Sequence, residues 1–202
     1  MLFADIDLLD ENLDFRSHCW VGVRDGLVAY VGDAAPAGEE AARYGEVYDG
    51  RGKLLCPAFY NAHAHAPMTL LRGYAENLPL QAWLNDMVFP FEAKITPEDC
   101  YWGTLLSCAE MARYGCVSFS DMYYHMEEGA RAALDAGIKM NLSDSLLAFN
   151  GEGLDDLPVK GNLDRLIRDV QGAGDGRIVV DCNIHAEYTL SLIHISEPTR
   201  PY

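Results

Sequence analysis

From Pro57 onward the chain repeats one pattern, a short apolar run followed by a stretch whose apolar residues fall at helical spacing. The strand candidates are Leu54–Ala62, Val117–Ser120, Lys139–Ser143 and Ile178–Ile184. The helical candidates between them are Leu80–Val88, Pro97–Tyr114, Glu127–Ala136 and Leu163–Gln171. Strands separated by helices do not pair as hairpins, so the pattern demands a parallel sheet with crossover helices, closed as a barrel or open and doubly wound. Helix boundaries are written in the sequence too: Thr96 is placed to cap, Pro97 sits at the first helical position, and Gly115 follows the end.

Residues 1 to 56 read differently. Short apolar runs at Trp20–Val23 and Leu27–Val31 flank Arg24-Asp25-Gly26, a hairpin signal, and a second turn signal lies at Asp49–Gly52. This is a small β module ahead of the α/β part. The "GAGDG" stretch (Gly172–Gly176) precedes a strand and is read as a turn rather than a phosphate loop.

Charge and composition remove several function classes. With 202 residues, half of them hydrophobic, the chain can bury one sizeable core plus a small satellite. Acidic residues outnumber basic ones 31 to 15, a net charge of -16, so phosphate backbones and anionic membrane surfaces are repelled. No apolar run approaches the ~18 residues that would span a membrane, and the acidic N-terminus is not a signal peptide. The six cysteines are scattered, without a CxxC pair, and are read as reduced, mostly packed thiols in a cytoplasmic setting. A small-molecule substrate is the expected partner, and a homo-oligomer stays open.

The chemistry concentrates at strand ends. On a strand, residues i and i+2 share a face, so His63 and His65 project together from the end of the first barrel-type strand. Two such imidazoles can chelate a divalent metal, or can be a hydrogen-bonded pair. Asp121, Ser143, Asp144 and His185 each follow an apolar run, at the carboxyl edge where parallel α/β sheets build their sites. His125 lies near Asp121 in sequence and is read as a loop residue beside it. His18 and Cys19 are assigned to packing in the β module. No nucleophile elbow, P-loop or dinucleotide fingerprint is present.

The block "LLCPAFYNAHAHAPMTLLRGYAENLPLQAWL", with "FPFEAKITPEDCYWG", "EMARYGCVSFSDMYY", "AGIKMNLS" and "IHAEYT", resembles the amidohydrolase superfamily. The nearest branch holds the aminohydrolases such as methylthioadenosine/S-adenosylhomocysteine deaminase, guanine deaminase and triazine hydrolases. The resemblance runs over residues 1 to 189. It implies an α/β fold: about the first four units of a (β/α)8 TIM-type barrel (57–189), preceded by part of a small β-sandwich (1–56). It implies that His63 and His65 are metal ligands for one divalent ion, zinc first, with iron, nickel or manganese as alternatives. It places Glu92 and His185 as substrate-binding residues, Glu92 toward ribose hydroxyls. The implied reaction is hydrolytic deamination of a purine nucleoside or related amino-heterocycle, with ammonia leaving and a carboxylic acid shuttling protons. Chlorohydrolase or cyclic amide/imide hydrolase chemistry is the alternative, as is a non-catalytic fragment. Ala58, Asn77 and Lys139 depart from the family pattern, in which Gly, Asp and Arg are usual.

The last stretch, Leu190–Arg200 within residues 190–202, resembles a translated sequencing adapter, so natural sequence is expected to stop near Thr189. On that reading His194 is no ligand candidate. The expected third histidine, glutamate proton shuttle and aspartate ligand fall beyond Thr189, and the chain as written is expected to be inactive alone.

Overall fold

The computed structural model describes residues 1–144, 155 and 157–183. It divides into two compact units, Met1–Ala58 and Phe59 onward.

In the first unit, strands β1 (Leu2–Leu9), β2 (Phe15–Arg24) and β3 (Leu27–Gly32) form an antiparallel meander. A short helix α1 (Glu39–Ala42) follows, then β4 (Val47–Asp49) and β5 (Leu54–Leu55), which both pair with β1 in parallel. Asp25 and Gly26 both take positive φ (53° and 77°), as the two-residue turn joining β2 to β3 requires. Ile6, Leu8, Cys19 and Val21 cluster on one face of this sheet. The packing expected of His18 and Cys19 divides between them: Cys19 is buried, whereas His18 is exposed and pairs through Nδ1 with Asp5 at 2.7 Å.

The second unit holds four parallel strands, β6 (Phe59–Ala64), β7 (Cys116–Tyr123), β8 (Lys139–Asp144) and β9 (Ile178–Val180). Their spatial order equals their chain order. A doubly wound sheet reverses order at a switch point; none occurs among the described strands, which fits part of a TIM-barrel-like fold. The apolar run Leu54–Ala62 is not one strand. Leu54 and Leu55 pair in the first unit, and a new strand starts at Phe59, after Pro57. The run Ile178–Ile184 is strand only to Val180, and Ile184 lies outside the described residues.

The first crossover is long. A 3₁₀ turn (Ala66–Leu71) leads to α2 (Leu80–Ala82), a π-helical segment (Trp83–Val88) and α3 (Phe89–Glu92). Helix α4 (Pro97–Arg113) then returns to β7. Its start is a full capping box: the Thr96 side chain accepts from the Asp99 N–H while Asp99 accepts from the Thr96 N–H. Helix α5 (Met126–Ala136) joins β7 to β8 and ends on Gly137 in the left-handed conformation. Helix α6 (Pro158–Val170) precedes β9. The "GAGDG" segment, expected to be a turn, holds a four-residue helical segment, α7 (Ala173–Gly176), kinked where Gly174 and Asp175 take positive φ.

The core of this unit lies between the sheet and its helices. Phe119, Met140, Leu142 and Ile178 from the strands meet Cys100, Cys108, Met126, Ala130, Ala133 and Leu166. Each large apolar side chain buried there contributes about 1.5–3 kcal/mol. Burial pushes the Cys100 and Cys108 thiols up to about 12, so they are packing groups; Cys56 and Cys182 are exposed. Among the described residues no helix is long and apolar enough to cross a membrane.

Candidate active site

His63 lies near the end of β6, and His65 follows that strand as the residue opening the 3₁₀ turn. Their rings meet edge to face, centroids 4.8 Å apart. His65 is anchored from the neighbouring strand, its Nδ1 standing 2.8 Å from the Met122 carbonyl oxygen. A carbonyl only accepts, so Nδ1 carries the proton and Nε2 the lone pair. Burial lowers the His65 pKa, the nearby His63 lowers it further, and the Met122 carbonyl works in the opposite direction.

Asp121 is buried beside this histidine turn. Its carboxylate accepts from the Ala66 N–H, 3.2 Å to each oxygen, and from the Met122 N–H at 2.8 Å. Burial pushes its pKa up to about 7 against those two N–H donors. Nothing local in the sequence distinguishes this buried acceptor from a solvated strand-end acid. His125 caps α5 in a left-handed conformation and is not among the carboxylate's hydrogen-bond partners.

Glu92, at the end of α3, accepts from the Tyr123 hydroxyl at 2.7 Å. The Tyr123 ring in turn lies 6.3 Å from that of His65. Burial raises the Glu92 pKa, and the Tyr123 hydrogen bond partly opposes this. Glu92 and His65 are thus brought to one locality through Tyr123, a residue the sequence reading passed over inside "DMYYH". Asp144 accepts from the Asn162 side chain at 2.6 Å, while the Ser143 hydroxyl is buried without a hydrogen-bond partner among the described residues. A cleft of about 190 Å³, lined by Met68, Leu71, Tyr74, Trp83 and Val88 among others, lies between the turn after His65 and the π-helical segment. His185 and His194 lie outside the described residues.

Two imidazoles at a strand end, one with its Nδ1 fixed by a carbonyl, match the way metal-binding histidines are oriented. Among the described residues, no group of three or more His, Cys, Asp or Glu side chains is placed to hold a metal ion. The His63 and His65 imidazoles are donors of the type that a divalent metal takes, and among the described residues no third such donor joins them.

The geometry is that of a parallel α/β unit with paired imidazoles at the carboxyl edge of its first strand, and comparison with known proteins gives its family. The profile of the amidohydrolase family matches residues 54–197, and the chain belongs to that family, which is metal-dependent. A 5-methylthioadenosine/S-adenosylhomocysteine deaminase of Acetivibrio thermocellus is 37% identical over 185 residues, covering 92% of this chain and 42% of the relative. An adenosine deaminase from Xanthomonas campestris, solved with bound zinc, is 25% identical with a TM-score of 0.69, over 89% of this chain and 41% of that one. A triazine hydrolase from Arthobacter aurescens shares the fold with a TM-score of 0.75 at 17% identity, over 89% of this chain and 45% of that one. The chain thus spans about two fifths of the length of its relatives.

Proposed function

We propose that this chain is part of a metal-dependent aminohydrolase that removes the amino group of a purine nucleoside or related amino-heterocycle. The observation that carries the reading is the His63–His65 pair, with the His65 Nδ1 bound to the Met122 carbonyl and its Nε2 lone pair directed by that bond. In this reading the two imidazoles hold one divalent ion. Zinc suits paired imidazoles well, and iron, nickel or manganese are alternatives. A metal of this kind supplies a nucleophile at neutral pH by lowering the pKa of water to about 7. Tyr123 orients Glu92, whose carboxylate is suited to accept from paired sugar hydroxyls. His185 is assigned to orienting the substrate. The four-stranded sheet is read as the first half of a (β/α)8 barrel, and the first unit as part of a sandwich.

Two departures from the family pattern do not weaken this. Asn77 has φ 60°, a left-handed conformation that Asn and Asp both tolerate, so the exchange preserves the backbone. Lys139 is exposed at the amino end of β8, opposite to the edge bearing the histidines. Relatives named as nucleoside deaminases further support a nucleoside over other substrates.

The test is ammonia release by the full-length enzyme from methylthioadenosine, adenosine and guanine, with metal content measured on the same sample. Turnover of a nucleoside that stops on chelation and returns with added zinc is the expected result. Hydrolysis of chlorinated or cyclic amide substrates without ammonia release would refute the deaminase assignment.

A further inference from the structure

Asp121 spends a buried carboxylate on two backbone N–H groups. The residue is 4% exposed, and among the described residues no Lys, Arg or His side chain forms an ion pair with it. A buried charge without a counterion is expensive, so its position calls for an explanation. Strand pairing does not need it. Ala64 already faces Asp121 in the β6–β7 register, immediately after the irregularity between Asn61 and Ala64 that contains His63.

What the carboxylate does hold is His65, from two sides. The Ala66 N–H that it accepts belongs to the residue directly after His65 and begins the 3₁₀ turn, whose first N–H groups have no partner within the turn. The Met122 N–H that it accepts belongs to the residue whose carbonyl receives the His65 ring. Main chain and imidazole are therefore fixed by the same short segment, Asp121-Met122. Both incoming groups are donors. One oxygen, Oδ1, accepts from both N–H groups, and Oδ2 shares the Ala66 N–H; an asparagine in this pose would turn its NH₂ toward that Ala66 N–H.

We propose that Asp121 is a positioning residue of the metal centre, holding the turn after His65 and the Met122 carbonyl so that the imidazole keeps its metal-binding orientation. This rests on the reading of His63 and His65 as metal ligands. It makes the end of β7 the outer support of a site whose ligands stand near the end of β6 and directly after it. Losing such outer partners typically weakens metal binding 10–100-fold.

The experiment is cobalt(II) titration of the metal-free full-length enzyme, read by its visible absorption and by competition with a chelator. The variants are Asp121→Asn, Asp121→Ala, His65→Ala and, as a packing control, Phe119→Leu, a buried neighbour on the same strand. Thermal melting of each apo-protein is measured alongside. The expected result is a roughly 10–100-fold loss of affinity in Asp121→Ala with an altered cobalt spectrum. Asp121→Asn, which keeps one acceptor oxygen, falls in between, and Phe119→Leu lowers the melting temperature with affinity unchanged. Should Asp121→Ala not fold, Asp121→Asn against Phe119→Leu decides the matter in the same way. Wild-type affinity in the Asp121 variants, with His65→Ala impaired, overturns the positioning role alone. An affinity loss that merely tracks the melting temperature, shared by Phe119→Leu, overturns it as well. Wild-type affinity in His65→Ala overturns the metal reading beneath it.

Discussion

A β-carbon built on Gly103, in the middle of α4, would stand 2.6 Å from the Pro67 carbonyl oxygen and 2.9 Å from the Pro67 Cα. The helix and the 3₁₀ turn after His65 therefore touch backbone to backbone. Thr69 completes the contact, its hydroxyl donating to the Gly103 carbonyl at 2.8 Å. Gly103→Ala should gain about 0.5–1 kcal/mol of helix propensity. Overpacking against an unyielding backbone costs about 1–3 kcal/mol, so the variant should be less stable overall. Denaturant unfolding checks this, and a variant as stable as wild type would show that the turn can retreat from the helix.

Replacing either histidine tests the metal reading directly. His63→Ala and His65→Ala should each lose metal by more than the 10–100-fold typical of outer-partner changes, and activity should fall with it. Elemental analysis after dialysis against a weak chelator is the measurement. Retention of stoichiometric metal in both variants would move the site elsewhere.

The capping box at α4 gives a stability prediction with a pH sign. Hydrogen bonds from Thr96, first its hydroxyl at 2.6 Å and then its N–H at 2.9 Å, hold the Asp99 carboxyl below the usual carboxylate range. A depressed folded-state pKa means that the contribution is present above the ordinary aspartate value near ~3.9 and is lost as pH falls through the folded value. Thr96→Ala should destabilise by about 1 kcal/mol at neutral pH, lowering the melting temperature by roughly 2–4 °C. The gap should narrow as pH falls through the depressed folded-state value of Asp99 and the carboxyl protonates. A pH-independent gap would assign the effect to the hydroxyl acceptor alone.

Much of this architecture is legible in the sequence because β7, β8, α4 and α5 announce themselves by apolar runs and bounding residues, whereas α6 starts at Pro158, ahead of the expected Leu163, its first turn carrying no side-chain cap. β6 does not, since Leu54–Ala62 is one apolar run whose two ends serve different sheets. Periodicity also cannot reveal that Trp83–Val88 winds as a π-helix, because i+4 and i+5 bonding place similar residues on the inner face. In the first unit, Asp5 and His18 both take positive φ near the register shifts of the β1–β2 pair, which breaks the alternation a strand reading relies on. His63 and His65 stand together as the HxH spacing requires. Asp121 and Tyr123 were harder to read, because their surroundings come from residues 31 to 55 positions away. A carboxylate at a strand end looks alike in sequence whether water or Ala66 reaches it.

Tyr123 and Glu92 set the last prediction, which separates structure from substrate binding. Burial raises the Glu92 pKa above its ordinary 4.5, with the Tyr123 hydroxyl opposing the shift. A raised carboxyl pKa means that the contribution is fully present below the ordinary value and is lost as pH rises through the folded one. Above its raised folded-state value the ionised, half-buried carboxylate is therefore a net cost to folding. Glu92→Gln should be more stable than wild type near pH 7, and this advantage should vanish toward pH 4. Tyr123→Phe removes the donor to a half-buried carboxylate oxygen and should cost about 1 kcal/mol, more above the folded-state value of Glu92 than below it. If Glu92 also holds sugar hydroxyls, losing charged hydrogen bonds of about 1.5–3 kcal/mol should raise KM about 10–100-fold in Glu92→Gln. Melting curves across pH, set beside nucleoside kinetics, distinguish the two roles. A variant that gains stability while KM is unchanged leaves Glu92 as a partner of Tyr123 only, whereas gained stability with a raised KM marks a carboxylate kept at a cost to the fold for the sake of its substrate.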